Sequence, residues 1–190
     1  IINQGLKKYG GDLAIGAFGI VNRLVFIVVM IVMGLNQGMQ PIAGYNFGAK
    51  LYGRVNKVLR LTIIYATAVT TFGFLVGMLV PDLVVGIFTS DAELTELSVT
   101  GLRITVMFFP IIAFQMVTST FFQSIGMAGK AIFLSLTRQM LILLPCLLVL
   151  PQFFGVAGVW YSMPVSDLLA SLIALVMLVC QFRKFRTSPL

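Results

Sequence analysis

One acidic residue lies inside the long apolar stretches of this sequence, at Asp167 in the segment 164–167. A carboxylate at membrane depth is costly unless it faces protein or water, and it therefore indicates a functional role by default. Two roles stay open for it. Asp167 either exchanges a proton or a cation during ion coupling, or forms a structural ion pair, conceivably with Arg23.

Amides and hydroxyls form two polar stripes at helical spacing, about 100° per residue. The stripe in the first apolar run comprises Asn22, Asn36, Gln37 and Gln40, with Arg23 beside it. The stripe in the third run comprises Thr105, Gln115, Ser119, Gln123 and Gly126, with Phe122 beside it. Such rows either bind a solute that is partly apolar and partly cationic, or supply hydrogen bonds between helices. The residues predicted to bind substrate are Asn22, Arg23, Gln37, Gln115, Ser119, Phe122 and Gln123.

Composition excludes several classes of protein. Histidine is absent, and the two cysteines, Cys146 and Cys180, lie inside apolar runs, so no metal site, cofactor or catalytic constellation is expected. No nucleotide-binding glycine motif occurs. The net charge of +7 is spread over separate short loops, which argues against a nucleic-acid partner. We therefore expect neither an enzyme nor a nucleic-acid-binding protein.

The polar residues lie on five long apolar runs. Hydrophobic residues make up 59% of the chain and charged residues 10%, against about 25% charged in soluble domains. A bilayer core needs about 20 apolar residues per helix. These values predict an all-α polytopic membrane bundle with five complete transmembrane helices, preceded by the end of a truncated sixth helix and an outer loop at 1–12. The predicted spans are 13–48, 58–80, 100–125, 131–150 and 156–182, followed by a cytoplasmic tail at 183–190.

Charge alternates between the connecting segments. The segment 50–60 holds four basic residues and no acid, whereas the next connection holds Asp82, Asp91, Glu93 and Glu96. Lys130 and Arg138 form the next basic group, and the tail holds three further cations. Because Lys and Arg in short loops stay in the cytoplasm, the pattern predicts a cytoplasmic C-terminus.

Glycine and proline indicate close packing and bends. Three pairs of glycines are four residues apart, at Gly34/Gly38, Gly44/Gly48 and Gly73/Gly77, a spacing that lets membrane helices approach closely. Prolines inside or near the spans, at positions 41, 110, 145 and 164, free carbonyl groups and kink helices. Kinked helices suit a protein that moves between states.

The segment from Gly34 to Lys50, followed by Arg54, resembles the helix-to-loop signature of the multidrug and toxic compound extrusion family. Its matching residues are Gln37, Gly38, Gln40, Pro41, Gly44, Tyr45, Asn46, Gly48, Ala49 and Lys50. The segment 121–126 with Lys130 is similar to the family's tenth helix. Arg138–Gln139, the segment 155–160 and the segment 164–167 are similar to its last hairpin.

The resemblance implies the C-terminal lobe of a two-lobed transporter, with an N-terminal lobe missing from this chain. It also implies export of amphipathic organic cations by exchange for H⁺ or Na⁺ through alternating access, in a bacterial plasma membrane. The third run lacks the acidic residue that some members carry there, so the coupling ion stays open. The alternative is a flippase of related architecture that moves lipid or polysaccharide precursors, for which Arg23 is the one intramembrane cation noted.

Overall fold

The computed structural model of the protein describes the backbone of residues 2–187, and all regular secondary structure in this range is helical. Side chains are described in this range except at positions 3, 4, 9 and 184–187. The helices are α1 (Ile2–Gly48), α2 (Tyr52–Leu79), α3 (Pro81–Gly86), α4 (Ala92–Val106), α5 (Phe109–Ser124), α6 (Ala128–Leu136), a π-helical segment (Thr137–Leu143) and α7 (Leu144–Thr187). The expected all-α class is confirmed. Most side chains of the predicted tail 183–190 lie outside the described residues.

Helix α1 breaks at Gly11, where φ is +67° and ψ is −163°. L side chains rarely adopt this conformation, whereas glycine adopts it without steric cost. The short segment before the break packs against α7, because Gly5 lies near Val159 and Gly10 lies near Val156. Leu6 is fully buried in the same contact. The predicted helix end and loop at 1–12 contain this break.

The third apolar run is not the single helix predicted over 100–125. Helix α4 begins earlier, because the carboxylate of Asp91 caps it by accepting a hydrogen bond from the Leu94 N–H at 2.8 Å. The acidic connection and the start of the third run therefore form one helix. This helix ends at Val106, and α5 follows at a bend of 54°. Pro110 lies in the first turn of α5, where its missing N–H is tolerated.

The fourth run is also interrupted. Helix α6 ends at Leu136, and the chain widens into the π-helical segment before α7 begins. Pro145 lies at the second residue of α7 and has no N–H to donate to the preceding turn, and its ring crowds the carbonyl four residues before it. A wider turn ahead of the proline is consistent with this crowding.

Helix α7 breaks at Gly155, where φ is +57° and ψ is −132°. The chain folds back at this glycine, since Arg138 and Asp167 are 29 residues apart and form an ion pair. Within the described residues, three helical stretches are long and apolar enough to cross a membrane: Gly10–Gly48, Tyr52–Leu79 and Ala128–Arg183. The bent pair α4–α5 would be a fourth span, and the stretch Ala128–Arg183 contains the fold at Gly155.

Besides the small cluster around Leu6, two larger apolar clusters lie one after the other along α1. One surrounds Val21 and Trp160, and the other surrounds Met39 and Phe121. Large apolar side chains also cover the outside of the bundle, with Phe72 69% exposed and Val176 62% exposed. A surface of this kind is stable in lipid and not in water. The chain is a multi-pass membrane protein.

Glycine packing follows the predicted pairs only in part. A Cβ at Gly73 would lie 2.9 Å from Val28, and one at Gly77 would lie 3.1 Å from Val106, so α2 approaches α1 and α4 at this pair. A Cβ at Gly44 would lie 2.9 Å from the Ser124 carbonyl oxygen. A Cβ at Gly34, Gly38 or Gly48 would meet no described atom of a neighbouring helix within 4 Å.

Candidate substrate cavity

A polar cavity of about 410 Å³ opens between α1, α5 and the segment that joins α6 to α7. Most of its lining side chains are amides and hydroxyls. The lining residues are Met33, Asn36, Gln37, Gln40, Gln115, Met116, Ser119, Thr120, Gln123, Ser135, Arg138 and Gln139. The cavity thus joins part of the first predicted stripe to part of the second.

Helix α1 presents Met33, Asn36, Gln37 and Gln40 to the cavity. Their spacing of three and four residues places them on one helical face. Asn36 is only 5% exposed, and its Oδ1 atom has no hydrogen-bond partner among the described residues. Gln37 is exposed. The face therefore combines one enclosed amide with amides open to a ligand.

Helix α5 supplies the opposite wall. Gln115 is 4% exposed, whereas Gln123 is exposed. The Ser119 hydroxyl lies 3.2 Å from the Ser135 hydroxyl and donates to the Ala131 carbonyl oxygen at 3.3 Å. Ser119 therefore links α5 to α6 as well as lining the cavity.

The amides of Gln37, Gln115 and Gln123 make no side-chain hydrogen bond in the part of the chain that the structure describes. If these residues only joined helices together, the amides would be paired with neighbouring helices. They line an open volume instead. This arrangement favours contact with a solute or water over interhelical hydrogen bonding.

Asp167 is paired with Arg138. Its Oδ1 atom accepts a hydrogen bond from Arg138 Nε at 2.7 Å and lies 2.7 Å from Arg138 Nη2 in the ion pair. The predicted alternative of an ion pair is therefore present, but its partner is not Arg23. Arg138 also differs from its predicted place in a basic loop, because it lies in the π-helical segment and reaches across to α7. The role of Asp167 in ion coupling stays a prediction.

Three of the residues predicted to bind substrate lie outside the cavity lining. Asn22 and Arg23 are exposed on α1. Fourteen residues separate Asn22 from Asn36, which corresponds to about 21 Å along an ideal helix. Phe122 is fully buried in the apolar cluster around Phe121, with the Lys130 ammonium 5.3 Å from its ring centroid.

Two further members of the predicted stripe on the third run do not line the cavity. Thr105 lies on α4, before the bend, and its hydroxyl donates to the Gly101 carbonyl oxygen at 2.8 Å. Gly126 lies in the turn after α5 with φ of +78°. Within the described residues, no group of three or more His, Cys, Asp or Glu side chains could hold a metal ion.

Comparison with known proteins identifies the family. The family model MatE matches residues 2–148. The chain belongs to the MatE family. This result confirms the resemblance that the motifs indicated.

Similar proteins include multidrug exporters. The multidrug export protein MepA of Staphylococcus aureus (strain MSSA476) is 27% identical over 175 residues, which are 92% of this chain and 38% of MepA. The MATE multidrug transporter DinF-BH, solved in complex with a ligand, is 36% identical with a TM-score of 0.83, over 96% of this chain and 41% of DinF-BH. The Vibrio cholerae transporter VcmN shares the fold, with 20% identity and a TM-score of 0.89, over 96% of this chain and 42% of VcmN. This MatE chain thus spans about 40% of the length of such relatives.

Some MatE signature residues line the cavity, and others shape the end of α1. Gln37 and Gln40 line the cavity, whereas Gly44 provides close contact with α5. Asn46 is buried and its Nδ2 donates to the Ile42 carbonyl oxygen at 2.8 Å. Lys50 has a φ of +57° in the tight turn after α1. The signature therefore serves both the cavity and the fold of this helix end.

Arg138 and Gln139 line the cavity but do not belong to the predicted binding set. A signal for Arg138 was present, since it is a charged residue within the predicted span 131–150. Its assignment to a basic loop concealed that signal. Thr120 and Ser135 carried no comparable signal, because single hydroxyls are common in membrane helices.

Proposed function

We propose that this chain is the C-terminal lobe of a secondary active exporter of amphipathic organic cations, and not an enzyme. The observation that carries the proposal is the open cavity whose amides have no partner in the described residues. Met33 and Met116 add flexible apolar surface to it, which suits ligands of varied shape. MepA is a multidrug export protein and DinF-BH is a multidrug transporter, and both support this assignment.

Transport in this proposal is alternating access, driven by H⁺ or Na⁺. The lobe moves against an N-terminal lobe of the same protein, and the cavity faces each side of the membrane in turn. The sharp bend between α4 and α5 and the break at Gly155 support the proposal, because irregular helices supply points of motion. Asp167 is the proposed coupling residue. Arg138 and an incoming cation would compete for its carboxylate, and this competition would link ion binding to the cavity.

The efflux assay uses the full-length protein in vesicles, loaded with a fluorescent cationic dye under an imposed H⁺ or Na⁺ gradient. Gln115→Ala should lower the extrusion rate by about two- to tenfold, because one neutral hydrogen bond contributes about 0.5–1.5 kcal/mol. Asp167→Asn should remove the dependence on the gradient. Gln152→Ala is the matched control, since the Gln152 amide donates to the Leu148 carbonyl oxygen outside the cavity.

If dye leaves the vesicles at the same rate with and without a gradient, the proposed function is wrong. If extrusion depends on the gradient and Gln115→Ala behaves as Gln152→Ala does, the cavity is not the substrate site. The flippase alternative is less well supported. The cavity presents one cationic side chain among its described lining residues, Arg138, whereas a pyrophosphate needs several.

The proposed location is a bacterial plasma membrane with the C-terminus in the cytoplasm. Lys50, Arg54, Lys57 and Arg60 are exposed around the turn between α1 and α2, which supports this orientation. In full-length protein with Cys146 and Cys180 replaced by serine, Arg54→Cys should react only with thiol reagents supplied from the cytoplasmic side. Reaction from the outside alone would reverse the orientation.

A further inference from the structure

Arg138 is the one charged side chain among the described residues that line the cavity. Its partner Asp167 is 5% exposed, whereas the Arg138 side chain is 32% exposed. The carboxylate is therefore enclosed by protein, whereas the Arg138 side chain lines the open volume. A ligand in the cavity meets the positive member of the pair.

The ion pair leaves most of the guanidinium free to bind. A guanidinium carries five N–H groups in a planar fork. The Nε–H donates to Asp167 Oδ1, and Nη2 lies within ion-pair distance of the same oxygen, so at most two of the five face Asp167. At least three N–H groups of Arg138 are therefore not used by Asp167, and they can donate to a second acceptor without breaking the ion pair.

Asp167 also prepares Arg138 for this role. It fixes the orientation of a long side chain that would otherwise lose rotamer freedom on binding a ligand. It balances the charge of Arg138, which lowers the cost of keeping a cation among helices in a membrane. The π-helical segment carries Arg138 to this position, next to Gln139 in the cavity wall.

We propose that Arg138 forms an anion subsite in this cavity and binds the carboxylate of an amphipathic substrate. A guanidinium matches a carboxylate in geometry as well as in charge, and the pairing is strong where water is partly excluded. The inference rests on the proposed function, because it names a substrate class for the same cavity. Among amphipathic organic cations, the preferred substrates are those that also carry a carboxylate, with the cationic group away from Arg138.

The test compares two probes that differ in one group. One probe is a cationic xanthene dye that carries an ethyl ester, and the other is its hydrolysed product, with a free carboxylate on the same ring system. Binding of each is measured by fluorescence polarisation on the full-length protein in detergent, without an ion gradient. The free acid should bind at least about tenfold more tightly than the ester, the factor that corresponds to about 1.4 kcal/mol.

Variants of Arg138 and Asp167 test whether the guanidinium causes the preference for the acid. Arg138→Gln alone leaves Asp167 unpaired, so the informative variant combines Arg138→Gln with Asp167→Asn and leaves no buried charge uncompensated. This double variant should bind the acid and the ester within about threefold of each other, since it lacks the guanidinium that prefers a carboxylate. Asp167→Asn alone keeps the guanidinium and should preserve or increase the preference for the acid. Arg60→Gln, which removes an exposed cation on α2, should leave the preference unchanged.

Two results would overturn the subsite: equal or tighter binding of the ester by the natural protein, or a preference for the acid that persists in the double variant. The efflux assay separates this inference from the proposed function. Gradient-driven extrusion without a preference for the acid contradicts only the anion subsite. A preference for the acid that depends on Arg138, without any extrusion, supports the subsite and contradicts the proposed function.

Discussion

Arg138→Ala is expected to lower the stability of the folded protein by about 3 kcal/mol, near the low end of the range for breaking a buried ion pair. The change leaves the Asp167 carboxylate 5% exposed and without its described partner. In a full-length protein, of which this chain spans about 40%, a loss of this size corresponds to about 3 °C in the midpoint of thermal unfolding. The midpoint is measured on the full-length protein in detergent by fluorescence-detected size exclusion.

Replacing Asp167 should lower the stability of the protein less than replacing Arg138 does. Asp167→Asn leaves an Arg138 side chain that is 32% exposed and lines the cavity, where water can solvate it, so its expected cost is about 1 kcal/mol. The double variant Arg138→Gln with Asp167→Asn should recover most of the loss, because neutral replacement of a buried pair is often tolerated. Arg60→Ala on α2 is the control and should change little. Equal losses for the two single variants would show that Asp167 is not the enclosed member.

The apolar runs predict the membrane class and the helical content because both follow from average composition over about 20 residues. They do not locate the breaks in the helices. The bend between α4 and α5 lies just before Pro110, and the Asp91 cap separately places the start of α4 upstream of the apolar run. Hydropathy alone reads the segment 100–125 as one continuous helix.

Helical periodicity predicts which residues share a face, and part of the cavity follows from it. Gln37 and Gln115 were predicted on separate stripes and line the same cavity. Periodicity does not limit distance along the axis, and for this reason Asn22 was grouped with residues about 21 Å away. A stripe therefore predicts which face of the helix is polar. The packing of α1 against α5 decides which part of that face lines the cavity.

The partner of Asp167 in the ion pair could not be identified from helical periodicity. Sequence identifies Asp167 as an intramembrane carboxylate but offers more than one cation as its partner. The choice of Arg138 over Arg23 depends on the fold-back at Gly155 and on the π-helical segment, which together place residues 29 positions apart in contact. The turn between the predicted spans 131–150 and 156–182 already implies the fold-back, but the register in which the two helices pack, and with it the pairing of Arg138 with Asp167, is set by tertiary packing.

Gly158→Ala is expected to destabilise the hairpin around Gly155 by about 3 kcal/mol, at the upper end of the usual cost of overpacking. A Cβ at Gly158 would lie 2.4 Å from the Leu150 carbonyl oxygen and 2.7 Å from the Pro151 Cα atom. These atoms belong to the backbone, so no side-chain rotation relieves the contact.

The hairpin also holds Asp167 against Arg138, so the effect of Gly158→Ala should extend to the cavity. We expect the thermal midpoint of the full-length protein to fall by about 3 °C, and the difference in binding between the acid and ester probes to shrink with it. Gly19→Ala is the matched control on α1, since its Cβ would meet no described atom within 4 Å. Alanine there should leave the midpoint unchanged or raise it slightly, because it restricts the unfolded chain. If both alanine variants unfold at the same temperature, the two arms of the hairpin do not meet at Gly158, and the position of Asp167 next to the cavity must have another cause.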